Sequence, residues 1–356
     1  MSLIRSLKSN LLKLFNKSQI QFINANKVQK ILVLKYDKIG DMIVATPLFR
    51  EIKRNMPQAE LVVLASKINK PLIEKNRHID DILVYENNWI NLFPTLLKLR
   101  KLKFDICIEL EANFVSRAFF ITKIVNSKNV VSISKTVGRY GLSADDIKVY
   151  DYYAPKKQSS HWSSIILSSL SVFGITKYND QYEINVDNLY LLNAKKYFEK
   201  LPKRKLNIGI NVKGQSVSGE ISNNSLVKMF KEIYKINPNI NIVMLTTPCD
   251  YEKVNIFIES LNLNYVFNSN FNIPEVASFI SMLDLIVSPD TSVVHIAGAY
   301  NIPIVAIYSN EDAYNLWSPR SDITEIIYSN NQASIAGFSD KDLINKIKKV
   351  IMNLMK

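Results

Sequence analysis

Twice along this chain, short apolar runs alternate with longer stretches that are apolar at helical spacing, and the alternation lapses between the two series. In the first series the strand-like runs are 30–34, 61–65, 82–85, 104–110 and 129–133. Helical spacing covers 42–55, 90–103 and 115–124, with a short helical piece at 71–74. Residues 135–160 are polar and aromatic, and a helix over 161–173 closes on Gly174. The second series has strands at 206–211, 240–245, 265–267, 284–288 and 303–308, with helices at 225–236, 251–261, 274–282, 291–300 and 340–355. A short buried strand followed by an amphipathic crossover returns to a parallel sheet covered on both faces. The pattern therefore predicts an α/β chain of two doubly wound, Rossmann-like domains, and 356 residues exceed one ordinary core.

The expected division is a basic amphipathic segment 1–28, a first domain 29–177, a linker 178–204 with a short helix at 191–199, a second domain 205–338 and a closing helix 339–356. Two such domains facing each other put the default ligand site in a central cleft, at the carboxyl ends of the strands. The last helix is expected to pack back toward the N-terminal domain. No repeat is evident, and the longest apolar stretches, such as 302–308, fall far short of the roughly 20 residues of a membrane span.

Charge narrows the partners. The net charge is +13, and residues 1–36 carry Arg5, Lys8, Lys13, Lys17, Lys27, Lys30 and Lys35 with no acid. Leu3, Leu7, Leu11, Leu14 and Phe15 recur between them at helical spacing. Such a helix lies on an anionic membrane surface or packs on the protein body, and both readings stand. The remaining lysines are spread over helix faces without an aromatic-interleaved basic strand or zinc finger, so nucleic acid is not an expected partner. Cys107 and Cys249 are expected to be buried free thiols, and a chain with three histidines and no C-x-x-C is not expected to hold a metal. With no continuous apolar h-region at the N-terminus, a cytoplasmic location is expected.

No G-x-G-x-x-G occurs, and the near P-loop at 209–216 has Gln215 in place of the phosphate-binding lysine. Nor is there an Asp-x-Asp metal clamp for a nucleotide sugar. Two strand–turn–helix segments remain. Around Asp290, Thr291, Ser292 and His295, a buried strand leads into a helix whose free N–H groups and dipole form an anion site. Asp290 or Thr291 is the natural N-cap, and His295 lies about one turn in. A capped helix beside a packed histidine explains the same residues. In Lys35-Tyr36-Asp37-Lys38-Ile39-Gly40-Asp41, Gly40 permits a close turn and Asp41 stands where a helix begins. Asp41 caps that helix or acts as general base toward a hydroxyl. Thr46-Pro47 offers a later helix start.

Together these segments resemble glycosyltransferase family 9, the bacterial heptosyltransferases of lipopolysaccharide core assembly, which have the two-domain GT-B fold. Ile31-Leu32-Val33-Leu34-Lys35, Gly40-Asp41, Thr46-Pro47-Leu48 and Pro57 are similar to that family's opening motif. Asp284 through Asp290-Thr291-Ser292 and His295-Ile296-Ala297, followed by Pro303 to Tyr308, resembles its donor signature. Weaker echoes are Phe104-Asp105 with Glu109 and Glu111, His161 leading to Gly174, and Trp317-Ser318-Pro319.

The resemblance implies an inverting, metal-independent transfer of a heptose or related sugar from a nucleotide-diphosphate sugar to a lipopolysaccharide or lipooligosaccharide core acceptor. It would run without a cofactor, in the cytoplasm and peripherally at the inner membrane. Asp41 would be the base. Asp290, Thr291, Ser292 and His295 would hold the diphosphate, with Lys213, Gly214, Thr246, Thr247 and Glu252 as further donor contacts. Lys35, Gly40 and Arg117 would meet the acceptor, an anionic glycolipid or glycan. The chain departs from the family at Ser292, where glycine is usual, and between Gly214 and Ser222, which has neither the family's lysine nor its Trp-Pro pair. Alternatives are a nucleotide-sugar epimerase of the same fold and a non-catalytic nucleotide-sugar or glycan-binding protein.

Overall fold

The structure, a computed structural model, describes residues 12–135, 147–156, 161–213, 219–331, 334–335 and 337–356. It divides into two compact units, Met1–Asp180 and Gln181–Lys356.

The first unit runs β1 (Lys30–Leu34), α1 (Ile39–Asn55), β2 (Glu60–Ser66), β3 (Asp81–Tyr85), α2 (Trp89–Leu102), β4 (Ile106–Glu109), α3 (Ser116–Val125), β5 (Asn129–Ser132), β6 (Tyr152–Tyr153) and α4 (Trp162–Leu167). Its sheet has the order β3-β2-β1-β4-β5-β6, and every neighbouring pair is parallel. Residues with a period of two divide between the faces. Leu32 and Leu34 of β1 join Val62, Leu64 and Cys107 in one core with Leu92, Leu96 and Leu99 of α2. Right-handed crossovers on either side of β1 put α1 on one face and α2 and α3 on the other. The α4 helix starts on His161, whose Nδ1 accepts from Ser163 N at 3.1 Å, and a 3-10 extension ends at Gly174 with φ 76°, a left-handed conformation glycine adopts at no steric cost.

Proline does not delay α1. Pro47 lies inside the helix, where its missing N–H leaves the Ile43 carbonyl without the usual partner. The Thr46 hydroxyl donates to that carbonyl at 2.7 Å, so the helix continues from Ile39. Residues 1–11, where most of the expected basic helix falls, lie outside the described residues; Leu12 and Lys13 are helical, and from Asn16 the chain has no helix or strand until Ala25. Lys17, Ile20 and Ile23 donate backbone N–H groups to Lys148, Asp151 and Val172 at 2.8–2.9 Å. The Lys17 ammonium pairs with Asp151 at 2.9 Å, so this stretch is tied to the first unit.

The second unit runs α5 (Asn188–Lys200), β7 (Leu206–Asn211), α6 (Asn223–Ile236), β8 (Ile240–Thr246), α7 (Tyr251–Leu261), β9 (Val266–Asn270), α8 (Ile273–Ile280), β10 (Leu285–Pro289), α9 (Ser292–Ala299), β11 (Ile304–Tyr308), α10 (Glu311–Trp317), β12 (Thr324–Tyr328) and α11 (Asp340–Leu354). Its parallel sheet has the order β12-β11-β10-β7-β8-β9. Most of residues 178–204, expected as a linker, belong to this unit: Phe198 of α5 stacks on Phe279 of α8 at 4.7 Å. Apolar burial outweighs the charged character that marked the segment as a connector. The closing helix packs within its own unit. Leu343, Ile347, Val350 and Ile351 of α11 enter the core formed by β7, β8 and β10, whereas the expectation from sequence is that the helix packs back toward the first domain. Its stripe of apolar residues fits the nearest uncovered sheet face.

Strand β6, helix α10 and strand β12 were not anticipated, being short or only partly buried. Cys107 is buried as expected, but Cys249 is exposed, lying in the loop past β8 and not in the strand's apolar run.

Candidate active site

In a doubly wound sheet, ligands gather where successive connections leave for opposite faces. That reversal lies between β1 and β4 in the first unit, and between β7 and β10 in the second.

At the first reversal, β1 delivers Lys35, whose side chain is only 2% exposed. Its ammonium donates to Asp37 Oδ2 at 2.9 Å and to Asp41 Oδ1 at 3.4 Å. Burial opposes the charge on Lys35, but Asp37 and Asp41 outweigh it and hold the ammonium's pKa above its ordinary value. Burial likewise lifts Asp41 above the usual carboxylate range, with Lys35 pulling the other way and Asp37 adding to the rise. Asp41 is the third residue of α1 and lies in its first turn, where the helix dipole favours an anion. It is not the cap: Lys38 holds that position, and no side chain caps the helix. Gly40 is already helical, without positive φ, so the turn falls before it.

From β4, Glu109 accepts from Ser132 Oγ at 2.8 Å and from the buried Lys135 ammonium, and its other oxygen accepts from Glu111 N at 3.0 Å. Lys135 also donates to the Glu111 carbonyl. Burial, Asp37 and Glu109 together push Glu111 up to about 7, against Lys35 and Lys135. The Tyr36 ring stacks on Tyr85 at 4.1 Å. Arg117, the second residue of α3, donates to the Tyr85 hydroxyl and to Asn87 Oδ1 and O, and its guanidinium lies 5.2 Å from the centroid of the Trp89 ring. Among the described residues, Tyr36 Oη and Asp37 Oδ1 are buried polar atoms without a hydrogen-bond partner. A ligand hydroxyl at this position would satisfy them.

The second reversal is built mostly of uncharged groups, with Asp290 partly buried between β10 and the cap of α9. Asn211, the last residue of β7, donates from Nδ2 to Ser288 Oγ at 3.0 Å and to Thr291 Oγ1 at 3.1 Å. Thr291 is the N-cap of α9 and accepts from Val293 N at 3.3 Å. The first-turn N–H groups of α9 thus open at the carboxyl end of β10 beside Ser292, an arrangement suited to an anion. Gly298 lets this helix lie close to the next loop: a Cβ there would sit 2.7 Å from Arg320 N. His295 is 3% exposed and packs edge-on to Tyr182 at 5.9 Å and beside Trp317 at 5.8 Å. Its burial corresponds to the packed-histidine alternative.

The outer donor candidates separate. Lys213 pairs with Asp250 Oδ2 at 2.7 Å, and Thr247 Oγ1 donates to the same oxygen at 2.6 Å, so β7 and β8 bring these two loops together. Thr246 turns away and donates to Asn268 Oδ1 at 2.6 Å. Glu252 is exposed in the first turn of α7. Gly214 lies outside the described residues. Sequence reasoning missed Asn211 as the residue that orients the Thr291 cap, and missed the joint role of Asp37, Glu109, Glu111 and Lys135. Their position at strand ends was the available signal. Among the described residues no group of three or more His, Cys, Asp or Glu side chains is arranged to hold a metal ion.

Comparisons with known proteins agree with this architecture. Residues 96–347 match the model of glycosyltransferase family 9 (heptosyltransferase). A relative from Escherichia coli (strain K12), which carries the provisional name lipopolysaccharide heptosyltransferase 4, is 23% identical over 362 residues, covering 98% of this chain and 95% of its own. The crystal structure of a family 9 glycosyl transferase from Veillonella parvula superposes with a TM-score of 0.77 at 16% identity, covering 95% of this chain and all of the other. That of the E. coli ADP-heptose lipopolysaccharide heptosyltransferase II gives 0.73 at 16% identity, with 92% and 100% covered. The fold is the GT-B type of these enzymes.

Proposed function

The chain belongs to glycosyltransferase family 9, the heptosyltransferase family, and from that premise we propose that it moves a heptose or related sugar from a nucleotide-diphosphate sugar to the core of a lipopolysaccharide-type glycolipid, inverting the anomeric centre without a metal ion. The observation that carries the reading is the Lys35–Asp41 contact of 3.4 Å at the reversal beside β1. An aspartate that does not cap its helix, is half-buried and is held by a buried ammonium is suited to take a proton.

In the proposed reaction the acceptor O–H loses its proton to Asp41. Its oxygen forms a bond to the anomeric carbon, and the bond from that carbon to the diphosphate breaks, so the nucleoside diphosphate leaves with the electron pair. The N-terminus of α9, oriented by Thr291 and Asn211, stabilises the charge that develops on the departing diphosphate. Ser292 lines the same turn, and Lys213 and Thr247 serve the nucleotide from the neighbouring loops. Lys35 positions Asp41 and lowers its proton affinity against the rise that burial causes, and its remaining N–H would face the acceptor. Arg117 acts through Tyr85 and Asn87 and shapes the acceptor pocket. The site is supplied from the cytoplasm, where nucleotide sugars are made. No helix among the described residues is long and apolar enough to cross a membrane.

The test is transfer by the purified chain across a panel of nucleotide sugars with core glycolipid acceptors, in EDTA, with the anomeric configuration of the product read by NMR. Inverted product in EDTA supports the proposal. Retention, a metal requirement, or release of an epimerised donor without acceptor would refute it.

A further inference from the structure

Helix α2 has two apolar stripes, and only one is covered. Leu92, Leu96 and Leu99 point into the core of the first unit. Trp89, Ile90, Phe93 and Leu97 are exposed by 38%, 80%, 49% and 41%. At about 100° per residue these four fall within an arc of roughly 100°, contiguous with the buried stripe. Exposed apolar residues clustered on one face mark a surface that something covers.

Charge identifies the occupant. The helix carries no acid, and its C-terminal half has Lys98, Arg100 and Lys101, followed by Lys103 at the C-cap. The neighbouring α3 adds Lys123, which lies 5.5 Å over the ring of the exposed Phe15, and Phe120 is exposed beside it. An apolar stripe ending in exposed cations, of which Lys98 lies 4.0 Å from the Asp81 carboxylate while Lys101 and Lys103 extend the charge beyond it, complements acyl chains beneath anionic headgroups. A second copy docking by the same face would bring cations against cations.

The stripe also begins at the proposed acceptor site. Trp89 carries Arg117 on its ring; Arg117 holds Tyr85; Tyr85 stacks on Tyr36; and Tyr36 adjoins Asp37 at the reversal where Asp41 is held. We propose that the exposed face of α2 docks on an anionic phospholipid bilayer, with Trp89, Ile90, Phe93 and Leu97 at the acyl boundary and Lys98, Lys101 and Lys103 at the headgroup phosphates. The inference deepens the reading of a lipid-borne acceptor, which would then enter the pocket from the membrane side.

The test needs neither donor nor acceptor. The full chain is floated with vesicles of mixed phosphatidylcholine and phosphatidylglycerol, and with phosphatidylcholine alone. The expected result is flotation with the mixed vesicles only, weakened by salt. An Ile90→Ser/Phe93→Ser double variant should lose about tenfold or more in partitioning. Its melting temperature and its transfer to a delipidated, water-soluble acceptor should stay unchanged. Absence of flotation overturns the proposal, as does flotation that survives the double variant and disappears only on deletion of residues 1–11. A lipid-free dimer that the double variant converts to monomer would assign the face to a second copy and also overturn it. If flotation behaves as expected while transfer fails on every acceptor, the functional reading falls and the docking surface stands.

Discussion

The two units share a topology but not a chemistry at the place where it opens. Between β1 and β4 the first unit gathers Lys35, Asp37, Asp41, Glu109, Glu111 and Lys135, all wholly or partly buried. Between β7 and β10 the second gathers Asn211, Ser288 and Thr291 with the start of α9, where hydroxyl, amide and backbone groups stand beside the carboxylate of Asp290. Buried like and unlike charges set proton affinities, whereas a neutral nest of N–H groups binds an anion without competing for its protons. On the proposed reading, the first opening would move the proton and the second would hold the leaving group.

The division breaks first at Asp41. Asp41→Asn should lower kcat/KM by about 10²–10⁴ while the affinity for nucleoside diphosphate, measured by calorimetry, stays within a few-fold. Turnover like the parent enzyme's would remove the proton-moving role from the first unit. Lys35→Met should be next in size, costing roughly 10–100-fold in kcat. Because Lys35 pulls Asp41's pKa down, its loss should also move the acid limb of the kcat/KM–pH profile to higher pH. A purely structural Lys35 would lower activity without moving that limb.

In the second unit, Asn211→Ala frees the Thr291 cap and should weaken nucleoside diphosphate binding by about tenfold, the scale of one or two kcal/mol for a lost buried hydrogen bond or cap. The pH profile should not change, and a shifted profile would show that the two halves are not chemically separate. Glu111→Gln gives the smallest effect on rate, about twofold, and sharpens the comparison through pH. Glu111 is lifted from the usual 4.5 to about 7, so the folded chain binds this proton more tightly than the unfolded one. Its contribution to stability is full below about 4.5 and is lost as pH rises through about 7. The variant should therefore raise the melting temperature more at pH 8 than at pH 5, and should remove any inflection near pH 7 in kcat. Equal melting shifts at both pH values would contradict the buried carboxylate.

Much of this was legible in the residues. The apolar runs at 30–34 and 206–211 became strands over the spans expected, and the segment from Leu285 to Ala299 became strand, cap and helix in the order proposed. Local chemistry decides such elements: the period of the apolar residues, and a threonine hydroxyl within reach of a free N–H. What failed did so because the deciding contact was distant. Phe198 on Phe279 drew the expected linker into the second unit. Asn211 could not be distinguished from any other polar strand end until β10 brought Ser288 and Thr291 beside it.

By itself, then, the sequence determined that two parallel sheets would form and which strand ends carry acids, amides and hydroxyls, since apolar period and side-chain chemistry are properties of neighbours along the chain. Only the tertiary structure decided that Lys35 spends its charge on two aspartates, that His295 packs inward and that one face of α2 stays uncovered. Pairing, burial and exposure depend on residues far apart in sequence, and a side chain's charge state and availability follow from what is packed against it.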